Sequence, residues 1–120
     1  MISVEEFKQK DFDLCFELDS RTIALWSKKQ WETEFHKKGV KVFGLLHSNK
    51  LIRVCVFQMI MDEAQINYLS VNYKSRRQGF GTYLMNYVIR KCENFNMKKL
   101  LLEVSEDNSA ANNFYSNFDF

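Results

Sequence analysis

The sequence predicts an α/β domain whose central sheet is mixed and mostly antiparallel, with helices flanking it. Three observations carry this expectation. Residues 40–47, 51–61 and 64–71 are β-rich runs separated only by Ser48-Asn49-Lys50 and Asp62-Glu63, connections short enough for an antiparallel meander. Residues 80–95 place Leu84, Met85, Val88, Cys92 and Phe95 at spacings of one, three and four, a helical stripe that needs a sheet to cover. The short apolar run 100–104 comes after that helix, and a strand reached through a helical crossover runs parallel to the strand before it.

In chain order, residues 2–7 form a short first strand, and Asp11 caps a helix that turns Phe12, Cys15, Phe16 and Leu18 inward. A second helix follows directly. Ser27 with Gln30 three residues later is a capping box, Trp31 and Phe35 share one side, and Gly39 ends the segment. His36 falls in its last turn, where a cation suits the helix dipole. The meander, the long helix and the last strand complete the order, with the helix on the sheet face opposite the first two. On the last strand Leu100, Leu102 and Val104 face one way, Leu101 and Glu103 the other. The strands ending at Val71 and Val104 are expected to diverge at their carboxyl ends, leaving a crevice for an extended ligand.

Composition bounds what this chain does. Its 120 residues leave no room for a second domain, and with no proline, repeat or linker the whole of 1–120 reads as one. A net charge of +2 neither argues for a nucleic-acid partner nor against one. The local cluster of Lys74, Arg76, Arg77, Arg90, Lys91, Lys98 and Lys99 is the only basis for such a partner, and direct nucleic-acid binding is not expected. Cys15, Cys55 and Cys92 are odd in number, widely spaced and each in an apolar segment; they read as buried free thiols, the usage of a reducing cytosol. The first six residues carry no leader pattern, and no apolar run has the length of a membrane span, so a cytoplasmic location is expected. His36 and His47 have no acidic or serine partner at a recognisable spacing, and no metal site is expected.

The run Val71-Asn72-Tyr73-Lys74-Ser75-Arg76-Arg77-Gln78-Gly79-Phe80-Gly81 joins a strand to the long helix and holds two of the four glycines. Glycines let successive backbone N–H groups converge, the helix adds its positive dipole end, and Lys74, Arg76 and Arg77 add full charges. A pyrophosphate fits such a loop, although a Gly pair after a strand is as often only a turn. Leu84 stands where a dinucleotide fingerprint needs its third glycine, and Thr82-Tyr83 follows Gly81 where a Walker loop needs Lys-Ser/Thr, so neither of those loops is present.

Further on, the strand-like Leu100-Leu101-Leu102-Glu103-Val104 precedes Asn108-Ser109-Ala110-Ala111-Asn112-Asn113-Phe114-Tyr115. In this ordered combination, Arg76-x-x-Gly79-x-Gly81 opening a helix and then a strand and Asn-x-x-Ala-x-x-Phe-Tyr, the chain resembles the GCN5-related N-acetyltransferase (GNAT) family. Within it, Leu25-Trp26-Ser27, Asp62-Glu63-Ala64 and Leu102-Glu103-Val104 resemble the ribosomal-protein-alanine N-acetyltransferase (RimI-type) branch. The resemblance is strongest from Asp62 onward and thinner before it.

That resemblance implies transfer of an acetyl group from acetyl-coenzyme A to a primary amine, above all the N-terminal α-amino group of a ribosomal protein, by direct attack on the thioester. It implies that the backbone of Leu69, Ser70 and Val71 pairs with the pantetheine arm and that the Val71 N–H polarises the thioester carbonyl. Arg76, Arg77, Gln78, Gly79, Phe80, Gly81 and Thr82 would hold the pyrophosphate, with Asn108 as a further coenzyme contact. Tyr115 would protonate the departing thiolate and Glu103 would be the general base. From the residues alone Tyr115 is also a core aromatic, Asn108 a helix cap, and Glu103 a solvent-facing carboxylate.

Two features depart from the family pattern: Asp119 stands where members carry Gly before a final Phe, and the chain stops where members continue through a C-terminal hairpin that walls the acceptor site. They leave open a weakly active or inactive coenzyme-A-binding interaction module, beside an enzyme acting on a small amine or a lysine. An uncovered edge at 100–104 would be open to pairing with a second copy, giving a homodimer.

Overall fold

A computed structural model describes residues 1–70 and 79–102. In order they form β1 (Ile2–Phe7), a 3-10 turn (Gln9–Asp11), α1 (Phe12–Arg21), α2 (Lys28–His36), β2 (Val40–His47), β3 (Lys50–Ile60), β4 (Glu63–Leu69), α3 (Phe80–Asn94) and β5 (Lys99–Leu102). The described strands make one sheet in chain order, antiparallel throughout except between β4 and β5.

Local chemistry accounts for the connections. β2 and β3 close on Ser48 and Asn49, both at positive φ, the twist that matches paired strands. β3 and β4 close on Met61 and Asp62. The chain then crosses through α3 and returns as β5, whose Lys99 to Leu102 lie parallel to Glu63 to Ile66. The continuation of this strand expected at Glu103 and Val104 lies outside the described residues.

Different helices cover the two faces of the sheet. On one, Leu84, Met85, Val88 and Cys92 of α3 meet Phe43, Leu45, Cys55, Phe57, Ala64 and Ile66. On the other, Cys15 and Leu18 of α1 and Trp31 of α2 meet Phe7, Val42, Val54, Val56 and Tyr68. Successive residues Val54 to Phe57 therefore belong to opposite cores, which explains a continuous apolar run rather than an alternating one in the middle of β3. All three cysteines are buried and free. Among the described residues no helix is long and apolar enough to cross a membrane.

Three local expectations differ from the structure. Phe95 is 39% exposed, because α3 ends at Asn94 and the chain turns away through Asn96 at φ 62°. Asp11 sits before α1 as expected, but its carboxylate accepts the Lys8 N–H at 2.9 Å and closes the 3-10 turn instead. Ser27 accepts the Gln30 N–H at 3.1 Å, whereas the Gln30 side chain reaches forward to Glu34 at 2.8 Å rather than back to Ser27.

Candidate functional site

β4 is irregular where the site was expected. Its register against β3 slips between Val56 and Phe57, so Phe57 faces Ile66, Val56 faces Tyr68, and Asn67 is the extra residue of a β-bulge. Parallel pairing with β5 is described up to Ile66 and Leu102, one residue short of that bulge. Beyond it Leu69 faces Cys55, and Ser70 is held to Val54 twice. The Ser70 N–H donates to the Val54 carbonyl at 2.9 Å, and the Val54 N–H donates to the Ser70 hydroxyl at 3.1 Å. The hydroxyl stands where a ladder carbonyl would accept, so the buried Val54 N–H is satisfied without the Ser70 carbonyl.

Two buried carboxylates reach β4 from the side of α1 and α2. Asp19, fully buried, accepts the Leu25 N–H (2.9 Å) and the Tyr68 hydroxyl (2.8 Å) at Oδ1, and the Trp26 N–H (2.8 Å) and Trp31 Nε1–H (3.0 Å) at Oδ2. Its main-chain carbonyl accepts the N–H groups of Thr22 and Ala24. The connection between α1 and α2 is thus moulded around one acid. The rings of Trp26, Trp31 and Tyr68 pack against one another with centroids 4.7 to 5.0 Å apart. Burial, and then the Asp19 carboxylate, drive the Tyr68 phenol far above its ordinary range, so it stays protonated and donates. Glu34, 1% exposed, accepts the Gln30 amide at 2.8 Å, pairs with Lys37, and accepts the Asn67 amide at 3.3 Å.

The second part of the site is the start of α3. Gly79 precedes the helix at φ 75°, a left-handed conformation that disfavours a side chain. The N–H groups of Phe80, Gly81 and Thr82 come before the first intrahelical bond, Tyr83 N–H to the Gly79 carbonyl at 2.9 Å. Among the described residues, a Cβ added at Gly79 or Gly81 would meet nothing within 4 Å, so neither glycine is packed against them. The Phe80 side chain turns into the α3-side core that also holds Leu69, joining the carboxyl end of β4 to the start of α3.

Of the residues assigned from sequence, the structure describes Leu69, Ser70, Gly79, Phe80, Gly81 and Thr82. Val71, Arg76, Arg77, Gln78, Glu103, Asn108 and Tyr115 lie outside the described residues. Sequence reasoning missed Asp19, Glu34, Asn67 and Tyr68. The available signal was an acid beside the inner stripe of each N-terminal helix: Asp19 follows Leu18 and lies four after Cys15, and Glu34 lies three after Trp31. Among the described residues no group of His, Cys, Asp and Glu is placed to hold a metal ion.

The N–H groups at the start of α3, ahead of its first intrahelical bond, are the arrangement that suits an anionic group, and the bulged β4 with its parallel neighbour lies before them in the chain. Comparison with known proteins gives this arrangement a family. The chain is 26% identical over 121 residues to the ribosomal protein bS18-alanine N-acetyltransferase of Escherichia coli (strain K12), spanning all of this chain and 81% of that enzyme. The crystal structure of the ribosomal-protein-S18-alanine N-acetyltransferase from Escherichia coli superposes with a TM-score of 0.87 at 25% identity, over 98% of this chain and 76% of that one. The PaiA N-acetyltransferase from Thermoplasma acidophilum, solved in complex with coenzyme A, shares the fold alone: TM-score 0.80 at 16% identity, over 98% of this chain and 87% of that one. Residues 4–120 match the model of the Acetyltransferase (GNAT) family, and the chain belongs to that family of N-acetyltransferases.

Proposed function

We propose that this acetyltransferase uses acetyl-coenzyme A and that its acceptor is the N-terminal α-amino group of a protein, a ribosomal protein led by alanine. The observation that carries the acceptor is likeness along the whole chain to the bS18-alanine enzymes. The donor is supported by the absence of any described residue within 4 Å of a Cβ added at Gly79 or Gly81, and by the bulge that precedes Leu69 and Ser70.

Acetyl-coenzyme A, when bound, supplies a thioester whose C–S bond breaks as the amine nitrogen forms its bond to the acetyl carbon. The chain's own groups would do the rest. Backbone donors from Arg77 through Gly81, with the charge of Arg76 and contacts at Phe80 and Thr82, would hold the pyrophosphate. Leu69 and Ser70 would align the pantetheine arm, Asn108 would add a contact, and the Val71 N–H would donate to the acetyl oxygen as negative charge grows there. Glu103 would take the proton that the incoming ammonium must lose, and Tyr115 would give one to the departing thiolate.

Calorimetric titration with acetyl-coenzyme A beside a thiol-release assay tests this reading. Binding with thiol release that depends on an alanine-led peptide is the expected result. Binding without turnover would make the chain a coenzyme-A-binding module, and turnover only with lysine side chains or small amines would overturn the acceptor.

A further inference from the structure

A carboxylate in a protein interior costs stability unless donors surround it, and apolar replacements often serve a core as well. This chain keeps two such acids on the N-terminal helix pair, Asp19 at 0% and Glu34 at 1% exposure. They hold adjacent residues of one strand: Asp19 accepts from the Tyr68 hydroxyl and Glu34 from the Asn67 amide. Asn67 is the extra residue of the β4 bulge, and Tyr68 is the first residue back in register.

A bulge re-aims the strand that follows it, and its geometry needs support because the ladder is broken there. We propose that Asp19 and Glu34 are positioning residues for acetyl transfer: by gripping Tyr68 and Asn67 from the helix side they fix the β4 bulge, and with it the backbone of Leu69 and Ser70. The assignment rests on the acetyl-transfer reading above. The ring packing of Tyr68 against Trp26 and Trp31 already buries its apolar surface, so the hydroxyl contact adds direction rather than area. The two acids differ in scope. Glu34 shares its charge with Lys37 on the chain just past α2, whereas Asp19 also binds the N–H groups of Leu25 and Trp26. One carboxylate therefore ties the α1–α2 connection to β4, and a displacement of either shifts the other.

The test uses Tyr68→Phe, which removes one hydroxyl and keeps the ring, and Glu34→Gln, which removes the charge and keeps an acceptor. Val88→Ala, a truncation in the α3-side core, serves as the stability control. Each protein is assayed well below its own melting temperature. Tyr68→Phe and Glu34→Gln should each lose about tenfold or more in kcat, the scale of a small misplacement of reacting groups, while KM for acetyl-coenzyme A changes by less than about threefold. Amide hydrogen exchange at Leu69 and Ser70 should quicken in both, and Val88→Ala should keep its kcat despite a comparable loss of melting temperature. Unchanged kcat and unchanged exchange in the folded Tyr68 and Glu34 variants would overturn the assignment, as would an equal kcat loss in Val88→Ala. A wild-type protein that acetylates no amine would overturn the acetyl-transfer reading and this one with it; an active wild type with unaltered variants overturns only this one.

Discussion

The Val54 N–H donates to the side-chain hydroxyl of Ser70 at 3.1 Å, while the Ser70 N–H returns a bond to the Val54 carbonyl at 2.9 Å. A side chain thus completes a strand ladder at the last described residue before the glycine loop. Ser70→Ala would leave the fully buried Val54 N–H without this acceptor and should destabilise the fold by about 1–3 kcal/mol, the cost of an unsatisfied buried donor. Urea denaturation checks it. A variant as stable as the parent would mean that Val54 has a second acceptor.

Gly79 and Gly81 should separate folding from binding. At Gly81, where a Cβ added within α3 meets no described residue, alanine should leave stability unchanged or raise it by up to about 1 kcal/mol. At Gly79, held at φ 75°, alanine should cost roughly 1 kcal/mol. Both should weaken acetyl-coenzyme A affinity if the proposed cradle holds, because the added methyl would stand where the pyrophosphate is proposed to approach the backbone. Melting curves set beside calorimetric titrations decide this, and unaltered affinity in a folded variant contradicts the phosphate cradle.

The sheet is legible in the sequence because its signals are local. The strand at 40–47 carries a β-rich run between short polar segments, and the α3 stripe of Leu84, Met85, Val88 and Cys92 repeats at helical spacing. Gly79 is legible for the same reason, since a left-handed residue before a helix selects glycine locally. Asp19 and Tyr68 are not. They lie 49 positions apart, and an acid beside an apolar helix stripe marks an interruption until the fold supplies its donors. The bulge at Asn67 leaves no mark either, because Ile66, Asn67 and Tyr68 continue an ordinary alternation of apolar and polar residues.

Alkaline pH should unfold this protein earlier than its charge suggests. Burial pushes the thiols of Cys15, Cys55 and Cys92 up from an ordinary 9.0, that of Cys92 to about 11. Above the ordinary value the unfolded chain has released protons that the fold retains, so stability is fully present below it and falls as pH rises towards the folded values. Each such group lowers stability progressively over that window. Tyr68 joins above its ordinary 10.0. The urea midpoint should therefore drop steeply above about pH 9, and less steeply in Cys55→Ala. A midpoint that stays level through that range contradicts the burial of these thiols.

Tyr115 and Glu103 should fail in different ways. Under the proposed roles Tyr115→Phe keeps the ring and removes the proposed proton donor, so turnover should fall by about 10²-fold or more with little change in coenzyme binding. Glu103→Gln should show a deficit that shrinks as pH rises and more of the acceptor amine is already deprotonated, while the Tyr115→Phe deficit persists. Parallel pH profiles for the two variants would show that the proton path is assigned to the wrong residues.

Intact-mass analysis of alanine-led peptides incubated with this protein and acetyl-coenzyme A tests acetyl transfer to a protein N-terminus most directly. One acetyl group should appear on the peptide, at its α-amino nitrogen, and should be lost when that nitrogen is blocked beforehand. An unchanged peptide mass, or an acetyl group found only on a lysine side chain, would contradict the account.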